Sequence, residues 1–294
     1  MSGRMNARMR TNQRMSQTAT STRRWNSGAV VALAGAALLL LAGCSAEQTV
    51  EISGGRAGRS TVDIVLNDFL VSYVRDLSAS VGAQSDRIFD PAAVEARFAE
   101  LDYVALDRVA VPEPNRLSVT VAFDDLGRAL TPPEDLAGPD GTGGNDGAPA
   151  SPLSVEREGA RTRMVLEVTP ELLDAVIAMS PWQGTLLAEI LLPPDRTTMS
   201  EDDYIDYLVW ALEEYEDPRV IRAALEEAMV NVLLRVPGRV VDQGNRDEGT
   251  PGDEETRRDQ GARREDGVLF RIPVVELITL SEPRRYEVVY IADS

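Results

Sequence analysis

Leu117-Ser118-Val119-Thr120-Val121-Ala122-Phe123 is the stretch whose reading decides the fold. Leu117, Val119, Val121 and Phe123 alternate with small or polar residues, which is the period of a strand with one face buried. Pro112-Glu113-Pro114-Asn115 ahead of it makes a turn, and Tyr103 to Val111 reads as the strand before that turn. Asp90-Pro91 opens a helix to about Leu101, with Asp as cap and Pro in the first turn. Further upstream, Val62, Val65, Phe69, Tyr73 and Leu77 lie close to helical spacing, so Thr61 to Val81 is expected as an amphipathic helix; Val62-Asp63-Ile64 also fits the start of a strand. Ser45 to Ser60 is polar and small and reads as a flexible tether.

Downstream, Pro132 to Pro152 is rich in Gly, Pro and Asp and is expected to be a disordered insertion. Leu153 to Glu158 and Thr162 to Val168 form a hairpin turning at Gly159-Ala160. Helix starts follow at Thr169-Pro170-Glu171, near Trp182, at Ser200 with Asp203, and at Asp217-Pro218. Val230 to Val241 has strand character broken at Pro237-Gly238, and Asp242 to Gly267 reads as a second insertion. Val268 to Ile272 is a strand and Pro273 to Leu280 a short helix. Arg285 to Ile291 is the last strand, with Tyr286, Val288 and Tyr290 on one face. Strands and helices in separate runs give an α+β class: an antiparallel or mixed sheet with helices packed on one face. One domain is expected from residue 61 to 294, with insertions near 132–152 and 242–267.

The first 43 residues have another logic. Arg4, Arg8, Arg10, Arg14, Arg23 and Arg24 precede an apolar run from Gly28 to Leu41, which ends in Leu41-Ala42-Gly43-Cys44. An export signal has this layout. The run is shorter than the roughly 20 apolar residues a transmembrane helix needs. Trp25-Asn26-Ser27 after Arg23-Arg24 matches twin-arginine export poorly, which favours the general secretory route. Met9 and Met15 also fit as starts.

Leu41-Ala42-Gly43-Cys44 resembles the lipobox of bacterial lipoprotein precursors. That resemblance implies cleavage between Gly43 and Cys44, lipidation of the Cys44 thiol, and a membrane anchor in the cell envelope. Each buried CH₂ contributes about 0.8 kcal/mol, so two or more chains hold firmly. Ser45, rather than Asp, follows the cysteine, which implies the outer membrane if the organism has one. Within the body of the chain, Val232-Leu233-Leu234-Arg235-Val236-Pro237-Gly238, Phe270-Arg271-Ile272-Pro273 and Tyr286-Glu287-Val288-Val289-Tyr290 resemble uncharacterised envelope lipoproteins. This likeness covers less than a quarter of the chain and carries no catalytic motif.

Composition narrows the chemistry. All 30 basic residues are Arg, against 48 acids. The six Arg before Cys44 leave with the signal, so the cut chain carries 24 Arg, 48 acids and a net charge of −24. Such a surface is unsuited to nucleic acid, which needs a basic face. His is absent and Cys44 is the single cysteine, which removes His-based acid–base catalysis, disulfides and Cys/His zinc sites. Glu201-Asp202-Asp203 with Asp206 invites a hard cation, but acids also gather at helix N-termini for the dipole. Asp140 to Gly147 lacks the ligand spacing of a calcium loop. Tyr204, Tyr207, Trp210 and Tyr215 sit close together, with 204, 208 and 215 expected inward and 207 off that stripe.

These features assign no catalytic, cofactor or metal residues. They point to a non-enzymatic, anchored envelope protein that binds a protein partner or an apolar ligand between sheet and helices. The alternative is a carboxylate-dependent hydrolase of cell-wall glycans, which needs two acids converging in one cleft.

Overall fold

The structure, a computed structural model, describes residues 45–54, 56–80, 88–99, 104–131, 151–179, 191–192, 196–246, 261–264 and 267–292. Eleven strands among these residues form two sheets: β1 (Ser45–Gly54), β2 (Ala57–Val65), β3 (Val104–Glu113), β4 (Arg116–Phe123), β5 (Leu153–Glu158), β6 (Arg161–Val168), β7 (Met229–Arg235), β8 (Gly238–Arg246), β9 (Gly261–Arg264), β10 (Gly267–Pro273) and β11 (Arg284–Ala292). The large sheet is mixed, in the order β3-β4-β2-β1-β7-β10-β9. The small sheet is antiparallel, in the order β5-β6-β11-β8. The helices are α1 (Asp68–Ser80), α2 (Pro91–Phe98), α3 (Leu126–Leu130), α4 (Pro170–Met179), α5 (Glu201–Leu212), α6 (Pro218–Glu226) and α7 (Val274–Ile278). The class is therefore α+β, but with two sheets where one was expected. No helix of the described residues is long and apolar enough to cross a membrane.

The segment expected as a tether is the middle of the large sheet. β1 pairs antiparallel with β2 from Ser45↔Val65 to Gly54↔Ala57, and parallel with β7 from Ala46↔Val230 to Glu51↔Arg235. Ala46, Gln48, Val50 and Ile52 are buried, while Glu47, Glu51 and Ser53 are exposed. This is strict alternation, and residues 45–54 and 57–60 belong to the sheet rather than to a tether. The helix expected from Thr61 likewise starts only at Asp68. Val62 and Ile64 follow the two-residue period of β2, and Ile64 is paired with Leu117 on β4. Gly58 sits opposite Phe123, whose ring would lie 2.8 Å from an added Cβ, so this position keeps a residue without a side chain.

The rows of residues in register fix the two faces of the large sheet. Ala46, Ile64, Leu117 and Val230 form one row, and Val50, Ser60, Val121 and Leu234 another. This face joins the buried side chains of α1 (Phe69, Leu70, Tyr73, Val74), α5 (Tyr204, Ile205, Leu208, Leu212) and α6 (Ile221, Leu225) in one cluster. The opposite face is polar: Thr61 and Thr120 face each other at 3.3 Å, and Arg59–Asp107, Arg116–Asp63 and Arg235–Glu51 pair across it. A mixed sheet apolar on one side and solvated on the other produces this alternation.

The expected helix starts form as caps. Asp90 accepts from the Ala92 N–H, Thr169 from Leu172, Ser200 from Asp203, and Asp217 from Arg219. The hairpin at Gly159-Ala160 is β5–β6, with Gly159 at φ 62°. The break at Pro237-Gly238 has a larger role than a pause in one strand, since it carries the chain from β7 in the large sheet to β8 in the small one. Residues 242–246 and 261–264, expected within an insertion, are the end of β8 and all of β9. The central parts of both expected insertions, and the helix near Trp182 except Leu191-Leu192, lie outside the described residues.

Ile52 is 5% exposed. Ile52→Ala should lower the unfolding free energy by about 2–5 kcal/mol in chemical denaturation. The same change in a tether would leave it unaltered.

Candidate functional site

The two sheets meet face to face. From the large sheet come Val50, Val232, Leu234, Phe270 and Ile272; from the small sheet come Leu153, Met164, Leu166, Val168, Tyr286 and Val288. These positions follow from register: Met164 opposes Val288 and Leu166 opposes Tyr286, while Phe270 opposes Val232 and Ile272 opposes Val230. α3 adds Leu126 and Leu130 at one side. Asp125 caps this short helix by accepting from the Arg128 N–H at 3.0 Å. The Thr131 hydroxyl donates to the Gly127 carbonyl at its other end.

The facing side chains do not fill the space between them. A cavity of about 100 Å³ remains, lined by aliphatic and aromatic carbon. Its thirteen lining residues include no charged side chain, and Tyr286 alone among them carries a polar side-chain group. The Phe270 and Tyr286 rings bridge the sheets edge to face, with centroids 5.5 Å apart and planes at 76°. An apolar cavity of about 150 Å³ stays dry and admits benzene, and water enters only where two or more polar partners await it. A space of this size and lining suits a few carbons of a hydrocarbon chain. This space lies between the two sheets, and helix α3 flanks it.

The outer side of the small sheet is held by charge. Arg163 donates from Nε to Glu287 Oε1 at 2.8 Å and from a terminal nitrogen to Oε2 at 2.9 Å. Glu156 adds a longer contact to the same guanidinium. The hydrogen bonds to Glu287, and then its charge, raise the Arg163 pKa further above its ordinary value. A two-pronged pair of this kind fixes strand against strand as well as balancing charge. Its members lie on β6 and β11, the strands whose inner faces wall the cavity.

Other candidates resolve into structural parts. Gln48 and Ser60, 3% and 1% exposed, satisfy each other through Nε2–H···Oγ at 3.0 Å. Asp203 receives the Ser200 hydroxyl, and Asp206 is paired with Arg222. No three of His, Cys, Asp and Glu converge as metal ligands among the described residues. Among those residues Glu287 is the one buried carboxylate, and it is paired with Arg163. Tyr204 and Leu208 are fully buried, as expected, and Tyr215 is half-buried with its ring edge-on to Tyr73 at 5.3 Å. Burial first, then neighbouring phenols for Tyr73 and Asp76 with Glu214 for Tyr215, raise both phenol pKa values, so both stay neutral near neutral pH. Gly43 and Cys44 lie outside the described residues, immediately before β1.

The cavity was missed at the sequence level because it needs two sheets, and strand pairing across 180 residues leaves no local signal. Comparison with protein-family models, with curated proteins and with solved structures finds no match for this chain.

Arg163→Met should lower the midpoint of thermal unfolding by several degrees, because buried Glu287 would lose the guanidinium that grips both its oxygens. Arg163→Met with Glu287→Met should recover part of that loss, which differential scanning calorimetry would record.

Proposed function

We propose that this chain is an exported lipoprotein, anchored in the cell envelope through Cys44, that holds the hydrocarbon part of a lipid between its two sheets. One observation carries the binding half of this reading: a cavity between the two sheets lined by carbon. Ligand sites are usually mostly apolar with a few polar groups that set orientation. This one supplies only Tyr286 within the lining, so affinity would come from the chain rather than the head group. A net charge of −24 on the cut chain disfavours a free fatty-acid anion. A neutral or zwitterionic lipid that inserts the last few carbons of one chain is the class that fits.

The anchoring half rests on Leu41-Ala42-Gly43-Cys44 and the basic and apolar runs before it. The position of β1 adds a consequence. Ser45 is already paired with Val65 and Ala46 is fully buried. A lipid on Cys44 would therefore hold the domain against the bilayer with no spacer, and a lipid leaving the membrane would have a short path to the protein.

Native mass spectrometry of the exported, detergent-extracted protein should show an added lipid mass at one per chain. Val232→Trp, which fills the cavity from β7, should remove that mass while the far-ultraviolet circular dichroism stays that of the parent. A lipid-free parent, or a variant that still carries the lipid, would contradict the reading.

The absence of Lys gives a clean test of processing. After a cut before Cys44 the only primary amine left is that of Cys44, and acylation of that nitrogen removes it. Radiolabelled palmitate should enter the protein, and Cys44→Ser should abolish incorporation and release the protein from the membrane pellet. An amine-reactive dye found on Met1 of the membrane-bound form would contradict cleavage.

A further inference from the structure

Trp210, at 68% relative exposure, is the most exposed large apolar side chain among the described residues. It lies in the last turn of α5, three residues after half-buried Tyr207, and the two rings sit 6.4 Å apart at 38°. Residues three apart share a helix face, so the rings form one small aromatic patch. Such a patch facing water calls for a partner, and the charges around it say which kind.

From Glu201 to Asp217 the chain carries eight acids and no base. Glu213, Glu214, Glu216 and Asp217 follow directly on the helix end that bears Trp210, and all four are exposed. That end also presents the negative pole of the helix dipole, and its last turn contains no basic residue of its own. The next bases along the chain are Arg219 and Arg222, both on α6. Arg222 is held by Asp206 and Glu226, and no arginine of the described residues forms an ion pair with Glu213, Glu214, Glu216 or Asp217.

We propose that this patch docks an exposed Arg- or Lys-bearing segment of another protein. Rings and carboxylates together recognise such a segment in a way neither does alone. A guanidinium stacks flat on an indole face while its N–H groups reach carboxylates at the edge. A strongly hydrated metal ion would gain little from the rings. This surface is separate from the cavity and does not depend on the lipid reading or on the anchor.

The test is the binding of a capped, rhodamine-labelled tetra-arginine peptide to the full chain at about physiological ionic strength, followed by fluorescence anisotropy. Diffuse attraction to an acidic protein has to be separated from docking, so two variants remove the same charge at different places. Glu213→Gln with Glu214→Gln should weaken binding about fivefold or more, while Glu95→Gln with Glu171→Gln, on exposed faces of α2 and α4, should leave it within about twofold. Trp210→Ala should weaken it about three- to tenfold without changing net charge. Equal effects from the two charge pairs, or unchanged affinity in Trp210→Ala, would overturn the proposal. So would absence of peptide binding to the parent.

Discussion

The parallel pairing of β1 with β7 is the constraint on which the rest of the structure depends. It joins residues 46–51 to residues 230–235, so the first strand and the last third of the chain share one sheet. β1 has its other edge on β2 and is thereby an interior strand, paired on both sides over residues 46–51. Take it away and the large sheet separates into β3-β4-β2 on one side and β7-β10-β9 on the other. The Gln48–Ser60 hydrogen bond sits at this seam. A shift of β1 by one residue would expose Ala46, Val50 and Ile52 and leave Ser60 without its amide partner in the core.

The same seam positions the cavity. β4 is followed by α3 and β5, β7 leads through Val236-Pro237 into β8, and β10 leads through α7 to β11, so the chain passes from the large sheet to the small one three times. These crossings bring Phe270 and Tyr286 into edge-to-face contact and place Val232 and Leu234 across from Met164, Leu166 and Val288. On the far side of the small sheet, Arg163 and Glu287 tie β6 to β11. The wall of an apolar space is thus held from behind by charge.

Much of this was legible in sequence, for identifiable reasons. The alternations at 117–123 and at Tyr286, Val288 and Tyr290 are strong because their inward residues are large and apolar. The caps at Asp90, Thr169, Ser200 and Asp217 act within three residues and are visible locally. β1 was misread because its inward row is Ala46, Gln48, Val50 and Ile52. A glutamine in the row spoils the period unless Ser60 is known to face it, and Ser60 lies on another strand. Asp242 to Arg246 looked like an insertion because its polar residues lie on the edge strand of the small sheet. The division into two sheets, and with it the candidate site, depends on pairings between distant strands that no short window contains. Trp210 stands among several aromatics in the sequence, and only the helix geometry separates it from its buried neighbours Tyr204 and Leu208.

The central claim is that hydrocarbon enters the space between the sheets, and Met164 is placed to report it directly. Methyl NMR of protein labelled at methionine, during titration with a neutral monoacylglycerol, reads that position from the Met164 methyl group. The account predicts a shift of the Met164 signal that saturates at one lipid per chain, with cross-relaxation to the lipid methylenes. A Met164 signal that stays fixed while the lipid binds elsewhere, or does not bind, would contradict it.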